Sequence, residues 1–232
     1  METDRRLVSA LADRRVGDVH PLNVPLPLLA DRQRRVAGER WAMVDEVHGT
    51  AVVDVDAALG SCGRGAMPAV LGRGDIMVTS RPQRRLGVWV ADCAPIAVVG
   101  DGGTLLAMHA GWAGLAAGIV DAALDLLADR GERPVEAVRG PVIGPCCYEF
   151  GLDDLERVAA AVGRPAPEVT GRTREGTTAL DVPAAVRAAL QRRGITPLEI
   201  GGCTSCRADR WYSHRRRGEA ERHALVVWTV PR

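Results

Sequence analysis

The chain has 232 residues, of which 47% are hydrophobic and 25% charged, with a formal net charge of +1 at pH 7; this profile fits one soluble domain with a substantial core. No apolar run approaches the roughly 20 residues of a membrane helix, and METDRRLVSALADRRVGD lacks a signal peptide's apolar centre. The sequence therefore predicts a cytoplasmic protein whose six cysteines are reduced and free for packing, metal binding or catalysis, and near-neutral charge with 3% aromatic residues argues against a nucleic-acid partner.

Taken in order, the prolines of VHPLNVPLPLLA interrupt any helix, and only ADRQRRVAGERW after them reads as a short one. Residues 41–54 read as two short strands meeting at a His48-Gly49 turn, with Val52, Val53 and Val55 as β-branched strand residues. The glycine-rich stretch 60–74 reads as a surface loop or lid, and strand resumes at Asp75. LGVWVADCAPIAVVG reads as one buried strand interrupted at Pro95, DGG as its turn and TLLAMHAG as the returning strand, a hairpin that aims Cys93 and His109 at one pocket.

Small residues at Ala110, Gly111, Ala113 and Gly114 allow close approach where strand gives way to helix. GLAAGIVDAALDLLADRGE has one helical period ending at Gly131. VEAVRGPVIG is a strand leading to a turn at PCCYEFG; LDDLERVAAAVG and VPAAVRAALQRRG are helices, the second with Asp181 as N-cap and Pro183 early. LEIGGCT is strand-like, CRADRWYSHRRR a polar connector, and HALVVWTV a buried final strand. Hairpins alternating with helices predict a layered α+β fold in a single domain, 1–232.

Imidazole and thiolate are ligands that zinc prefers, so His48, Cys93 and His109 form a candidate site with a fourth position open. The same residues support a different chemistry, with Cys93 as nucleophile and His109 as its base, and the plainest reading is a buried cysteine with two packed histidines. In a regular strand Asp92 points away from Cys93, so it is assigned only a strand-end hydrogen-bonding role. Cys203 and Cys206 form CTSC without a second CxxC to complete a structural zinc site. Adjacent Cys146 and Cys147 cannot both enter one pocket from an extended chain, which predicts packing for both. The run SHRRR suits phosphate by arginine geometry, or is a solvated loop.

VHGTAV, DIMVTS, ADCAPI, HAGWAGLAAGIV, GPVIGPCCYEFG and the CT…YSHRR ending follow one another through most of the chain. In order and spacing they resemble the YfiH-like proteins, once called multicopper polyphenol oxidoreductases or laccase-domain proteins and later reassigned as purine nucleoside phosphorylases. The resemblance implies a four-layer αββα sandwich, a fold shared with certain bacterial toxin deamidases, and it makes His48, Cys93 and His109 zinc ligands and catalytic residues. It implies phosphorolysis of adenosine, inosine, guanosine and methylthioadenosine, deamination of adenosine, and a monomer as the default state. Copper is the lesser alternative, because one His2Cys site with His20, His214 and His223 left over cannot supply several copper centres.

Two departures bear on the activity. Ala113 stands where the family usually has arginine, and RRRGEAERHA replaces its glycine-arginine ending. Arg215 keeps its place as a candidate phosphate or substrate contact, Asn23 is a loose match for a second, and Tyr148 and Ser213 match without an assigned role. The ways open to the chain are thus a zinc phosphorylase, a cysteine hydrolase or deamidase using Cys93 and His109, and a metal-binding protein with degenerate catalysis.

Overall fold

In the computed structural model, which describes residues 5–62 and 67–231, strand β1 (Arg5–Ala12) precedes helix α1 (Leu26–Ala37). The prolines do not break this helix but start it: Pro25 is its N-cap and Pro27 sits in its first turn, where the missing N–H costs nothing. Of the two strands that residues 41–54 predict, the first is reduced to isolated bridges from Ala42 to Leu86 and from Asp45 to Arg73. The second is β2 (Val52–Asp54). Val55 is not part of it. The Asp54 carboxylate accepts from the N–H groups of Asp56 and Ala57 and so begins α2 (Val55–Ser61) at that residue. Helix α2 also takes the first residues of the predicted 60–74 loop, and part of that loop lies outside the described residues.

Strand β3 (Ile76–Thr79) is followed by β4 (Leu86–Val90) and β5 (Ala94–Gly100). The last two are not one strand. The chain leaves one sheet for another at Ala91–Cys93, and Asp92 makes the corner with φ +99°. Beyond the corner the predicted hairpin is present: β5 turns through Asp101-Gly102-Gly103 into β6 (Leu105–Ala110), with Pro95 opposite His109. The single helix predicted next is divided into α3 (Trp112–Ala116) and α4 (Ile119–Ala128), because Gly118 adopts φ +81° between them.

Strand β7 (Pro134–Arg139), α5 (Leu152–Ala161), β8 (Thr170–Arg172) and β9 (Thr178–Leu180) follow. Helix α6 (Val182–Arg192) is capped as predicted, the Asp181 carboxylate accepting from the Ala184 N–H. After β10 (Leu198–Glu199), the predicted connector contains the one-turn α7 (His214–Arg217), capped by Ser213, and β11 (His223–Pro231) ends the described chain.

Strands β1, β11 and β4 form one antiparallel sheet, and β10-β7-β5-β6-β3-β2 form a second. Alternation along the strands sets the layers. Leu225 and Val227 of β11 meet Val99 of β5 and Leu105 and Ala107 of β6 between the sheets, whereas Ala224 and Val226 face Leu29 of α1. Ile96, Val98, Leu106 and Met108 turn the other way, onto α4, α5 and α6. The order is therefore α1, small sheet, large sheet, helices: the predicted four-layer α+β arrangement. Because the central strands are covered on both faces, they read as continuous apolar runs rather than alternating ones. Among the described residues, no helix is long and apolar enough to cross a membrane.

Candidate metal centre and its cavity

Counting along β6 from Leu105 and Ala107, His109 falls on the face between the sheets, and Cys93 follows the corner by which the chain crosses from one sheet to the other. The third member comes from the loop before β2, where His48 takes φ +61°. Donor atoms of His48, Cys93 and His109 all lie within 4.8 Å of one another. Cys93 Sγ is 3.9 Å from His48 Nε2, and the two imidazoles meet edge to face with centroids 4.8 Å apart. Gly111 permits this closeness, since a Cβ there would stand 3.0 Å from His48 Cδ2 and 3.1 Å from Cys93 Sγ.

Asp75, which the sequence marks only as the start of a strand, organises the group. Its Oδ1 lies 2.9 Å from His109 Nδ1, and its two oxygens accept from the N–H groups of Val47, His48 and Gly49. Burial opposes its ionisation, but the hydrogen bonds from His109, Gly49 and His48 prevail and hold its carboxyl below the usual range. Burial lowers the His109 pKa despite Asp75 beside it. A neutral His109 that donates from Nδ1 to Asp75 leaves Nε2 as its ligand atom, an arrangement familiar in metal-binding histidines.

Two further carboxylates border the group. Glu46 Oε2 is 3.5 Å from His109 Nδ1, and burial, with Asp75 nearby, pushes its pKa well above the ordinary value. Burial, reinforced by the charges of Glu46 and Asp92, pushes the Cys93 thiol up to about 12. Such a thiol is not ionised at neutral pH by its protein surroundings alone. A cation at the centre of the three donors would reverse that balance, and the two-nitrogen, one-sulfur set suits zinc.

The triad opens on a cavity of about 360 Å³, whose other walls include His20, Glu46, Trp89, Trp112, Tyr148, Arg215 and Arg222. The Arg215 guanidinium lies 4.5 Å from the centre of the Tyr148 ring and donates to the Glu149 carbonyl at 2.9 Å. Asp92 holds this segment in place: its carboxylate accepts from Thr204 Oγ1, from Ser213 Oγ and from the Arg215 N–H at 2.7 Å. Asp92 thus has the hydrogen-bonding role read from the sequence, but at a corner rather than at the end of a strand; because the strand is not regular there, it lines the same cavity as Cys93 instead of pointing away from it.

Arg222, within the glutamate-rich ending and immediately before the buried final strand, also reaches the cavity. Ala113 lies on α3 outside the cavity lining, while its neighbour Trp112 is within it. Asn23 is on an exposed turn whose first residue, His20, lines the cavity; Asn23 itself does not.

The other cysteines are also brought together, which corrects two readings of the sequence. Pro145–Cys147 is a turn of 3-10 helix rather than extended chain, so successive side chains diverge by about a third of a turn instead of pointing oppositely. Cys146 and Cys147 both face Cys203 and Cys206, all four Sγ atoms lying within 4.8 Å of one another. The CTSC pair is therefore completed by an adjacent CC rather than by a second CxxC.

Fold and site together define a class: a four-layer αββα protein with a His2Cys donor group at the seam of its two sheets. The family model described as multi-copper polyphenol oxidoreductase laccase matches residues 28–230, and the chain belongs to that family. It is 31% identical over 208 residues to a purine nucleoside phosphorylase of Pseudomonas aeruginosa, covering 87% of this chain and 81% of that one. With a purine nucleoside phosphorylase of Streptomyces coelicolor it shares 35% identity over 204 residues, 86% of this chain and 79% of the relative. The crystal structure of YlmD from Geobacillus stearothermophilus superposes with a TM-score of 0.78 at 26% identity, over 96% of this chain and 91% of the other.

Proposed function

We propose that this chain is a zinc-dependent purine nucleoside phosphorylase, cleaving the N-glycosidic bond of adenosine, inosine, guanosine or methylthioadenosine with phosphate, and that it also deaminates adenosine to inosine. The observation that carries this reading is the His48, Cys93, His109 donor group facing Arg215 and Arg222 across one cavity. His48 and His109 would ligate zinc through imidazole nitrogen and Cys93 through sulfur. Zinc held by three protein ligands supplies a Lewis acid at its fourth position.

The remaining steps belong to the chain's own residues. Arg215 and Arg222 present positive charge to phosphate, whose geometry suits guanidinium. Trp112 and Tyr148 offer aromatic walls for a purine, and the bond between Asp92 and the Arg215 N–H fixes the distance between the anion contact and the metal donors. With alanine at 113, Arg215 and Arg222 carry the anion-holding role. In this reading the protein works as a cytoplasmic monomer on purine nucleosides and phosphate, and His20 rather than Asn23 is its N-terminal contact with substrate.

Incubation of zinc-loaded protein with inosine or adenosine, with and without phosphate, tests the reading. Phosphate-dependent release of hypoxanthine or adenine with ribose 1-phosphate, and phosphate-independent formation of inosine and ammonia from adenosine, support it. Absence of all these products would leave the metal-binding protein without catalysis. The cysteine-hydrolase alternative fits less well because the Cys93 thiol is pushed up to about 12; the Asp75 bond to His109 Nδ1 is common to both readings, since it would orient Nε2 as a base as well as a ligand.

A further inference from the structure

We propose that Cys146, Cys147, Cys203 and Cys206 hold a second zinc ion in a closed, structural site, separate from the His48, Cys93, His109 group. A tetrahedral ion bound to sulfur at about 2.3 Å requires Sγ atoms about 3.8 Å apart. The measured separations are 3.5 Å for Cys146 to Cys206, 3.6 Å for Cys147 to Cys206, 3.7 Å for Cys146 to Cys147 and 3.9 Å for Cys146 to Cys203. The two remaining distances are no more than 4.8 Å. Four soft donors at this spacing match the edges that a tetrahedral thiolate site requires. All four cysteines are free thiols rather than members of a disulfide.

The surroundings suit bound thiolates. The Gly144 N–H points at Cys203 Sγ at 3.2 Å, and the Arg174 guanidinium donates to Cys206 Sγ at 3.1 Å. Donors of this kind offset the negative charge that four thiolates leave on a divalent ion. Cys146 and Cys147 border a cavity of about 240 Å³ whose walls also carry Arg174, Arg215 and Arg216 against Glu149 and Glu175. All four coordination positions would be taken by protein, so the site stabilises structure and has no place for substrate.

Its position gives it a purpose. The ligands come from two segments 56 to 60 residues apart in sequence. Tyr148 directly follows the first segment, and the second leads through Ser213 to Arg215. The ion would tie together the two loops whose meeting places Arg215 over the Tyr148 ring.

Elemental analysis of protein purified without chelator tests this, together with thiol titration under native conditions. Two zinc ions per chain are expected, one of them lost in a Cys146→Ser/Cys206→Ser double variant. The complementary variant His48→Ala/Cys93→Ala keeps the cysteine cluster intact, should retain one ion, and after cobalt exchange should show intense thiolate-to-cobalt charge transfer. In wild type the four clustered thiols should resist modification until a chelator is added. One ion per chain in wild type and none in the His48→Ala/Cys93→Ala variant would overturn the proposal. So would disulfides among these cysteines in protein alkylated without reductant. Because the two sites are emptied by different variants, failure of this site is distinguishable from failure of the catalytic one.

Discussion

The carboxylate of Asp75 and the imidazole of His109 are joined at 2.9 Å, and the same carboxylate collects the N–H groups of Val47, His48 and Gly49. One side chain therefore orients two of the three donors in the candidate metal group: the ring of His109 directly, and His48 through its backbone.

Replacement of Asp75 should weaken the metal centre before it weakens the fold. Asp75→Asn keeps the shape but loses the charge that favours a donating Nδ1 on His109, and a 10- to 100-fold loss of zinc affinity is expected by the usual effect of such outer carboxylates. Chelator competition measures it. An unchanged affinity would mean that Asp75 serves only the turn at 47–49.

Cys93 separates the metal reading from the nucleophile reading. With its thiol pushed up to about 12, metal-free protein should alkylate at Cys93 slowly at pH 7, and catalysis should stop on chelation and return with zinc. Fast alkylation of Cys93 together with chelator-resistant activity would favour the hydrolase.

Much of this centre was legible in the sequence, and the reasons are local. His48 follows a β-like run at a glycine turn, and Cys93 and His109 flank a hairpin whose DGG loop fixes the pairing of β5 with β6. What was not legible depended on distant contacts. Nothing near Asp92 announces that the chain changes sheets there; that follows from β4 pairing with β11, more than a hundred residues later. The strand β1 is likewise defined by its partner β11 at the opposite end of the chain. Cys146 and Cys147 were misread because Pro145 begins a helical turn, and the period of side chains changes with it. Asp75 lies within DIMVTS with no role legible there, since its partners are three backbone N–H groups, which carry no sequence signature, and a histidine 34 residues away.

Asp92 should matter for both stability and catalysis. Asp92→Ala removes acceptors for Thr204, Ser213 and the Arg215 N–H, and puts alanine at φ +99°. A loss of about 2–4 kcal/mol is expected from buried donors left without partners and from backbone strain, read by urea unfolding. Asp92→Asn tolerates the backbone and should recover part of it.

His223 sets an acid limit on the fold. It is buried against Trp211 and Tyr212, accepts the Tyr212 N–H at Nδ1, and burial, with the Arg222 charge, lowers its pKa from 6.5 to about 3. The folded value lies below the unfolded one, so its contribution is fully present above pH 6.5 and is lost as pH falls toward 3. Over that window the loss amounts to roughly 5 kcal/mol. His223→Asn, which keeps an acceptor but does not titrate, should flatten the fall in unfolding free energy between pH 7 and 4.5. An unchanged slope would assign the acid sensitivity to other groups.

Arg215 is the residue on which phosphate use should depend. Arg215→Ala is expected to lower kcat/KM by about 100-fold, the effect of losing one charge-assisted contact to a reacting anion, while zinc content stays unchanged. Tyr148→Phe keeps the ring beneath the guanidinium and should cost far less. Equal losses in the two variants would point to a shared structural defect.

The most direct test of the account is the release of hypoxanthine from inosine by zinc-loaded protein as phosphate is varied. The account predicts product that rises with phosphate to saturation, appears with an equal amount of ribose 1-phosphate, and is abolished in His48→Ala. No release at any phosphate concentration from protein shown to carry zinc at His48, Cys93 and His109 would contradict it.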